Sequence, residues 1–226
     1  MVVGAPVSRQ EQTKHAQIGQ REELIIQLGR VLLITLLVLS WQLLSGSVLD
    51  PLLFSSPAAV VSQIVTWVRD GTLWMHSIIT IQETVAGLLI GVASGIIFGF
   101  LIGPQRIVRK IMDPILLAAN SVPKVALAPL FIVWLGIGIE MKIVLAAVTV
   151  FFLVFFNTVE GVRNVDQDLV NAVRLMGGDR KAVLLKVVLP SAMGWILTGV
   201  RVAIPYALIG AVIGELVASN RGIGYL

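Results

Sequence analysis

Residues 85–103, VAGLLIGVASGIIFGFLIG, run for nineteen positions without an ionisable side chain. Coiled as a helix, that run is about 28 Å long, close to the ~30 Å of hydrocarbon in a bilayer. Four further apolar stretches, 31–49, 115–137, 143–158 and 193–217, resemble it, and the 85–103 run is expected to start several residues earlier. The hydrophobic fraction is 57%, against roughly 45–50% in soluble domains, and the charged fraction is 13%, about half the usual ~25%. A mean hydropathy of +0.92 fits the same conclusion. A soluble fold of 226 residues could not hide so much apolar surface, whereas lipid can. The expected class is an all-α, polytopic membrane protein with five spans. It has a cytoplasmic N-terminal segment at 1–30 and one transmembrane domain at 31–226, with no internal repeat and no low-complexity tract.

The chain has no cysteine, which excludes a disulfide scaffold, a thiolate nucleophile and Cys-ligated metal. Its two histidines, His15 and His76, are far apart and argue against a metal site. The net charge of +4 reflects where basic residues sit in a membrane protein and does not point to nucleic acid. Arg9, Lys14, Arg21 and Arg30 precede the first span. Arg106, Arg109 and Lys110 follow the second, and Arg163, Arg174, Arg180, Lys181 and Lys186 follow the fourth. Only Arg69, Lys142 and Arg221 fall on the other side, with Lys124 and Arg201 inside spans. Cytoplasmic loops carry the excess of Lys and Arg, so the N-terminus and residues 171–190 are expected in the cytoplasm and the C-terminus outside. The first span, preceded by about 30 residues and lacking a small-residue cleavage site, is not a removable signal. After it, Ser56-Pro57 starts and Asp70-Gly71 ends an amphipathic helix carrying Val60, Val61, Ile64, Val65 and Val68, with Trp67 and Trp74 suited to the membrane interface.

Between the last two spans lies NAVRLMGGDRKAVLLKVVLP, residues 171–190. Asp166 or Asp168 can cap a helix to about Met176, which Gly177-Gly178 breaks. Asp179 can cap a second helix to about Val188, and Leu189-Pro190 turns into the fifth span. Small apolar faces, Ala172, Val173 and Met176 on one helix and Val183, Leu184 and Val187 on the other, are flanked by basic side chains. Such a hairpin at about 166–190 suits a groove in a cytoplasmic partner, and equally suits lipid headgroups.

Its spacing resembles the coupling loop of ABC importer permeases, Glu-Ala-Ala, three residues, Gly, nine residues, Ile-x-Leu-Pro. Asn171-Ala172-Val173, Gly177 and Val187-x-Leu189-Pro190 keep that spacing, with Asn171, Val173 and Val187 as departures. Asn171 lacks the charge that could face an ATPase. Asp113-Pro114, Pro123, Ala128-Pro129-Leu130, Trp134-Leu135-Gly136-Ile137-Gly138, Lys142, Asn157 to Val162, Gly199-x-Arg201, Gly214-Glu215 and Gly222-Ile223-Gly224-Tyr225 are similar to the nitrate/sulfonate/taurine branch of that family. The resemblance covers residue 50 to the end. It implies a type I importer permease fold (MetI-like) and a dimer of permeases, a homodimer being expected. It also implies two cytoplasmic ATPase subunits, an extracytoplasmic solute-binding protein and a bacterial inner membrane. ATP and Mg would then be bound by the ATPases and no cofactor by this chain, which has no G-x-x-x-x-G-K-[ST] loop. Members of the branch carry a sixth span. This sequence ends at Leu226, where the loop before such a span would begin, so a sixth is expected to be missing.

Ionisable groups inside spans are costly and tend to face the bundle interior or water. Arg201 is expected to neutralise an anionic substrate or to hold the hairpin through backbone carbonyls. Glu215, fourteen residues later, lies about 21 Å further along a helix, where it could gate or pair with a neighbouring span. Lys124 sits between Pro123 and Pro129, which either break the span around a cavity or merely kink it while Lys124 reaches the headgroups. Asn120, Ser121 and Lys124 are the pathway candidates there. Glu83 stands where the family usually has Arg, and is expected at the headgroup rim. Its charge leaves room for a neutral or cationic vitamin precursor beside the sulfonate-, taurine- or nitrate-like anions. Gly87, Gly91, Gly95 and Gly99 are spaced for close helix packing.

The leading expectation is a non-enzymatic permease that alternates its access under control of an ATPase. An ATP-independent channel or secondary transporter would need no coupling hairpin. A membrane enzyme is disfavoured by the absence of cysteine, of clustered histidines and of paired carboxylates at one depth.

Overall fold

In the computed structural model every described element is a helix. The structure describes residues 9–48, 50–218 and 220–226, with side chains from residue 22 onward apart from 49, 51, 52 and 219. The first eight residues of the N-terminal segment, and the side chains of Arg9, Lys14, His15 and Arg21, lie outside the described residues. The chain divides into two units, Met1–Asp70 and Gly71–Leu226.

The first unit begins with α1 (Arg9–Leu44), whose apolar part runs from Glu22 to Leu44. The helix stops five residues before the expected position, because Gly46 takes a left-handed φ of 84° and turns the chain. A single-turn α2 (Pro51–Phe54) is tied back when Trp41 Nε1 donates to the Phe54 carbonyl at 3.1 Å. Helix α3 (Pro57–Arg69) is capped as its sequence demands: the Ser56 hydroxyl accepts from the Ala59 N–H at 3.2 Å, and Pro57 occupies the first position. Its apolar face is exposed, with Val61 at 60% and Val68 at 61%, as an interfacial helix requires.

The second unit is built on α4 (Thr72–Ile102), α7 (Ile139–Arg163) and α10 (Leu189–Ala218). Span two thus starts thirteen residues before the nineteen-residue run, at Thr72. The packing follows from missing side chains. A Cβ on Gly87 would lie 2.5 Å from the Cβ of Ala146, one on Gly91 2.6 Å from that of Val150, one on Gly95 2.9 Å from that of Val154, and one on Gly99 2.6 Å from that of Thr158. These pairs advance together at a constant offset of 59 residues, so α4 and α7 run parallel and in backbone contact. Helix α10 offers its own glycines in reverse order: Gly199 meets Asn157, Gly210 meets Ala146 and Gly214 meets Lys142. It is therefore antiparallel to α7, which is clasped on two sides and is the most buried of the four long apolar helices among the described residues.

Parallel α4 and α7 oblige the chain between them to cross back. That crossing is made by α5 (Arg106–Ser121), a 3₁₀ turn (Lys124–Leu127) and α6 (Ala128–Leu135), bent by 85° between the two arms. The stretch expected as one span at 115–137 is thus a broken one, beginning earlier, at Arg106. Val122 is extended because a proline follows it, and Pro123 and Pro129 each lack a donor N–H, so a straight helix cannot persist.

After α7 come α8 (Gln167–Leu175), α9 (Arg180–Val183) and a π-helical turn (Leu184–Val188) that enters α10 without a break. The expected turn at Leu189-Pro190 is absent. Pro190 has no N–H to give the Lys186 carbonyl. The ladder widens instead, and the Leu189 N–H bonds to the Leu184 carbonyl five residues back.

Candidate translocation pathway and coupling surface

The hairpin is fixed by three local devices. Asp166 caps α8 by accepting from the Asp168 N–H at 2.8 Å, and Asp179 caps α9 by accepting from the Ala182 N–H at 2.8 Å. Gly177 adopts a φ of +83°, which lets its N–H bond to the Arg174 carbonyl and the Gly178 N–H to the Val173 carbonyl, both at 2.9 Å. This double bond pattern is how a glycine-terminated helix satisfies its last carbonyls. Val165, Val170, Val183 and Val187 form a core inside the hairpin, with Val173 packed against it. Val173 and Val187 therefore hold the two arms together and do not form outward faces. Asn171, Ala172 and Gly177 lie exposed, while Leu189 and Pro190 belong to the junction with α10. The outward apolar tip is Leu175 and Met176, exposed by 90% and 87%. Met176 was legible as the end of α8. Leu175 was not, because the 3.6-residue period gives no weight to a residue projected by a helix cap.

A cavity of about 330 Å³ opens where α5, the 3₁₀ turn, α7 and α10 meet. Asn120, Lys124, Thr149 and Tyr206 supply its polar wall, and Leu145, Leu153, Ile209 and Ile213 its apolar one. The broken span delivers Lys124 to this interior, not to the headgroups. Its ammonium donates to the Asn120 carbonyl and, at 2.9 Å, to the Asn120 Oδ1, and lies 5.1 Å from the centre of the Phe152 ring. Ser121 is not part of the wall: it is exposed and its hydroxyl donates to the Leu117 carbonyl. Further along α7 a second cavity, about 430 Å³, is lined by Arg109, Asp113, Asn157, Glu160, Arg163 and Trp195. Both cavities use α5, α7 and α10, so they follow one side of α7 from its middle toward the hairpin. Thr149 and Tyr206 carried no sequence signal as lining residues, since which face of a wholly apolar helix meets a cavity depends on its neighbours.

Three remaining candidates lie elsewhere. Arg201 is exposed on α10 and has no hydrogen bond or ion pair among the described residues, so it does not hold the hairpin. Glu83 is fully buried, contrary to the expected headgroup rim, and pairs with Lys142 of α7. Lys142 was expected in a loop. The same 59-residue offset that aligns the glycines places it opposite Glu83, one turn before the Gly87–Ala146 contact. Glu215 is buried beside them and accepts from the Thr80 hydroxyl at 2.7 Å and the Gly224 N–H at 2.7 Å. It pairs across to α4, as one reading of its position anticipated. Among the described residues no group of three or more His, Cys, Asp or Glu could hold a metal ion.

Residues 91–226 match the family described as the binding-protein-dependent transport system inner membrane component. The chain belongs to that family. This permease is 34% identical over 197 residues to a probable ABC transporter permease protein of Haemophilus influenzae, covering 87% of this chain and 80% of that one. It is 33% identical to the putative aliphatic sulfonates transport permease protein SsuC of Bacillus subtilis, over 87% and 71% of the two chains. It is 28% identical to the formylaminopyrimidine transport permease protein ThiX of Halalkalibacterium halodurans, over 84% and 76%. A solved structure of the MetNI methionine ABC transporter, in an inward-facing conformation, resembles the permease with a TM-score of 0.53 at 20% identity. The match covers 70% of this chain and 78% of that one. The fold is therefore that of MetI-like importer permeases, and the all-α, multi-span expectation is met. The relatives are transport permeases, not enzymes.

Proposed function

We infer that this permease moves a small anionic nutrient, of the sulfonate, taurine or nitrate kind, through the Lys124 cavity. Access would alternate under the control of an ATPase docked on the 166–190 hairpin. The observation that carries this reading is the Leu175–Met176 tip, an apolar knob held out by a capped helix and ringed by Arg174, Arg180 and Lys181. Exposed apolar side chains on a rigid element, rimmed by charge, are the plan of a protein docking site. The partners in this reading are a second copy of this chain, two ATPase subunits that bind ATP and Mg, and an extracytoplasmic solute-binding protein, in a bacterial inner membrane with the N-terminus cytoplasmic. Lys124 favours an anion, because it is the one ammonium on the cavity wall among the described residues. Asn120, Thr149 and Tyr206 supply the hydrogen bonds that would orient its oxygens.

A second reading, a neutral or cationic vitamin precursor, is favoured by the similarity to ThiX. It loses its original support from Glu83, since that carboxyl is neutralised against Lys142 and lies outside the Lys124 cavity. The test is uptake and ATP hydrolysis in vesicles holding the permease, its ATPase and its binding protein. Leu175→Asp and Met176→Asp are expected to release the ATPase and abolish uptake, while Lys124→Met leaves the ATPase bound and lowers uptake of the anion at least tenfold. Uptake that persists without bound ATPase would instead identify a channel or secondary transporter. Unchanged uptake in Lys124→Met would favour the neutral or cationic solute.

A further inference from the structure

Helix α5 carries no buried residue, yet one side of it is turned to the bundle. Arg109, Asp113 and Leu117, four residues apart, lie on that side and face α7 and α10 across the cavity of about 430 Å³. Glu160 and Arg163 come from the last turn of α7, Asn157 from the turn before it, and Trp195 from the second turn of α10. Trp195 is seated by Gly161, where a Cβ would lie 2.8 Å from its own. Much of the bonding capacity of this wall is unspent. The Arg109 guanidinium gives one donor to the Gly103 carbonyl at 3.0 Å, which fixes it beside the turn out of α4. Arg163 reaches Glu160 at 3.5 Å, and Glu160 also accepts from Asn164 at 2.9 Å. Asp113 is half-buried and has no hydrogen bond or ion pair among the described residues, although Arg109 stands one turn away. Trp195 Nε1 likewise has no acceptor among them. Asn157 spends its amide N–H on the Leu153 carbonyl at 2.8 Å and keeps its own oxygen for a donor.

The ionisable groups of the wall, Arg109, Arg163, Asp113 and Glu160, balance in charge; Arg106 and Lys110 are exposed on α5 and do not line it. A simple anion would leave the two carboxylates unmatched, and a metal cation would meet two guanidinium groups. A ligand that joins an oxyanion to an ammonium group by a short link answers both signs. Its oxygens take the donors of Arg109, Arg163 and Trp195, and its ammonium gives N–H bonds to Asp113, Glu160 and Asn157 Oδ1. Depth selects the source of that ligand. Lys and Arg accumulate at this end of the bundle, the mark of the cytoplasmic side. Asp113, Asn157 and Trp195 stand within two turns of the ends of their helices there. This is the level of lipid headgroups, where indole rings concentrate and where pockets between helices hold headgroups. Deeper in, Leu117 and Phe156 give the wall an apolar surface that suits the start of an acyl chain.

We propose that the cavity between α5, α7 and α10 is a phospholipid site that recognises a phosphoethanolamine headgroup, with the phosphate held by Arg109 and Arg163 and the ammonium by Asp113 and Glu160. Bound there, the lipid ties α5 to the α7–α10 pair through polar contacts. Its site is distinct from the Lys124 cavity, and the lipid is not the transported solute.

The test is native mass spectrometry of the full permease chain, stripped of lipid in detergent and titrated with phosphatidylethanolamine, phosphatidylcholine and phosphatidylglycerol of identical acyl chains. Wild type is expected to bind phosphatidylethanolamine about tenfold more tightly than phosphatidylcholine, whose trimethylated nitrogen has no N–H to give; about tenfold is the worth of one hydrogen bond to a charged group. Asp113→Asn should erase most of that preference and favour phosphatidylglycerol, which presents a phosphate without an ammonium. Asp113→Glu should restore the preference, and Arg109→Gln should weaken all three lipids. Preference is a ratio taken within one sample, so a variant that folds in lower yield still reports it. Equal binding of phosphatidylethanolamine and phosphatidylcholine by wild type overturns the proposal, as does a preference that Asp113→Asn leaves intact. Soluble phosphorylethanolamine held by the protein, with no preference among the lipids, would make the ligand a free zwitterion and overturn the lipid assignment.

Discussion

Lys142 owes its position to a register and its worth to Glu83. Removing one partner of a buried ion pair leaves a stranded charge and costs about 3–5 kcal/mol, whereas replacing both with apolar side chains is often neutral. Lys142→Met is therefore expected to lower the Tm of the purified permease sharply, and Glu83→Met combined with Lys142→Met to recover most of it. Equal losses in single and double variants would mean the pair is not coupled. Lys124 behaves differently: it is half-buried, satisfied locally by Asn120 and Phe152, and its replacement should spare the fold. Two lysines of one chain thus separate into a buried ion-pair partner and a cavity-lining residue by the depth and chemistry of what surrounds them.

At the scale of elements, the glycine stripe of α4 shows what a sequence can carry. Glycines four apart announce a close-packed face, and the structure uses each of them, but the stripe does not name its partner. Once α7 is known to lie there at an offset of 59, the Glu83–Lys142 pair follows, yet nothing along the chain supplies that number. The hairpin was more legible, because Asp166, Gly177 and Asp179 act through neighbours a few residues away. Its join to α10 was less so: a proline after an apolar run reads equally as a turn or as a widened helix. Gly91→Val is expected to destabilise the protein by at least about 1–3 kcal/mol, since Val150 Cβ and the Ala147 carbonyl leave no room for it, measurable as a lower Tm. Pro190→Ala returns the missing N–H and lets the π turn relax, rotating α9 against α10 by about one residue, roughly 100°. Assembly with the ATPase should persist while uptake per ATP falls by a factor of about 2–30, the range of a 0.5–2 kcal/mol coupling change. Unaltered stoichiometry would make the π turn a passive accommodation.

At the scale of the whole molecule, the absence of cysteine offers a clean check on topology. Met176→Cys and Trp74→Cys place single thiols at exposed positions near opposite ends of the second unit. A membrane-impermeant maleimide is expected to label Met176→Cys only in inside-out vesicles and Trp74→Cys only in right-side-out ones. Labelling of both from one side would refute the crossing made by the broken span. The offset between Glu83 and Lys142 also bears on how the chain is made. Glu83 leaves the ribosome 59 residues ahead of Lys142, the base it pairs with, and further still ahead of Glu215. A lone ionised carboxylate near a helix centre weighs against entering lipid by roughly 2.5–3.5 kcal/mol. Helix α4 is thus synthesised before the residue that neutralises Glu83, and until α7 is made the uncharged run at 85–103 has to carry that cost by its own hydropathy.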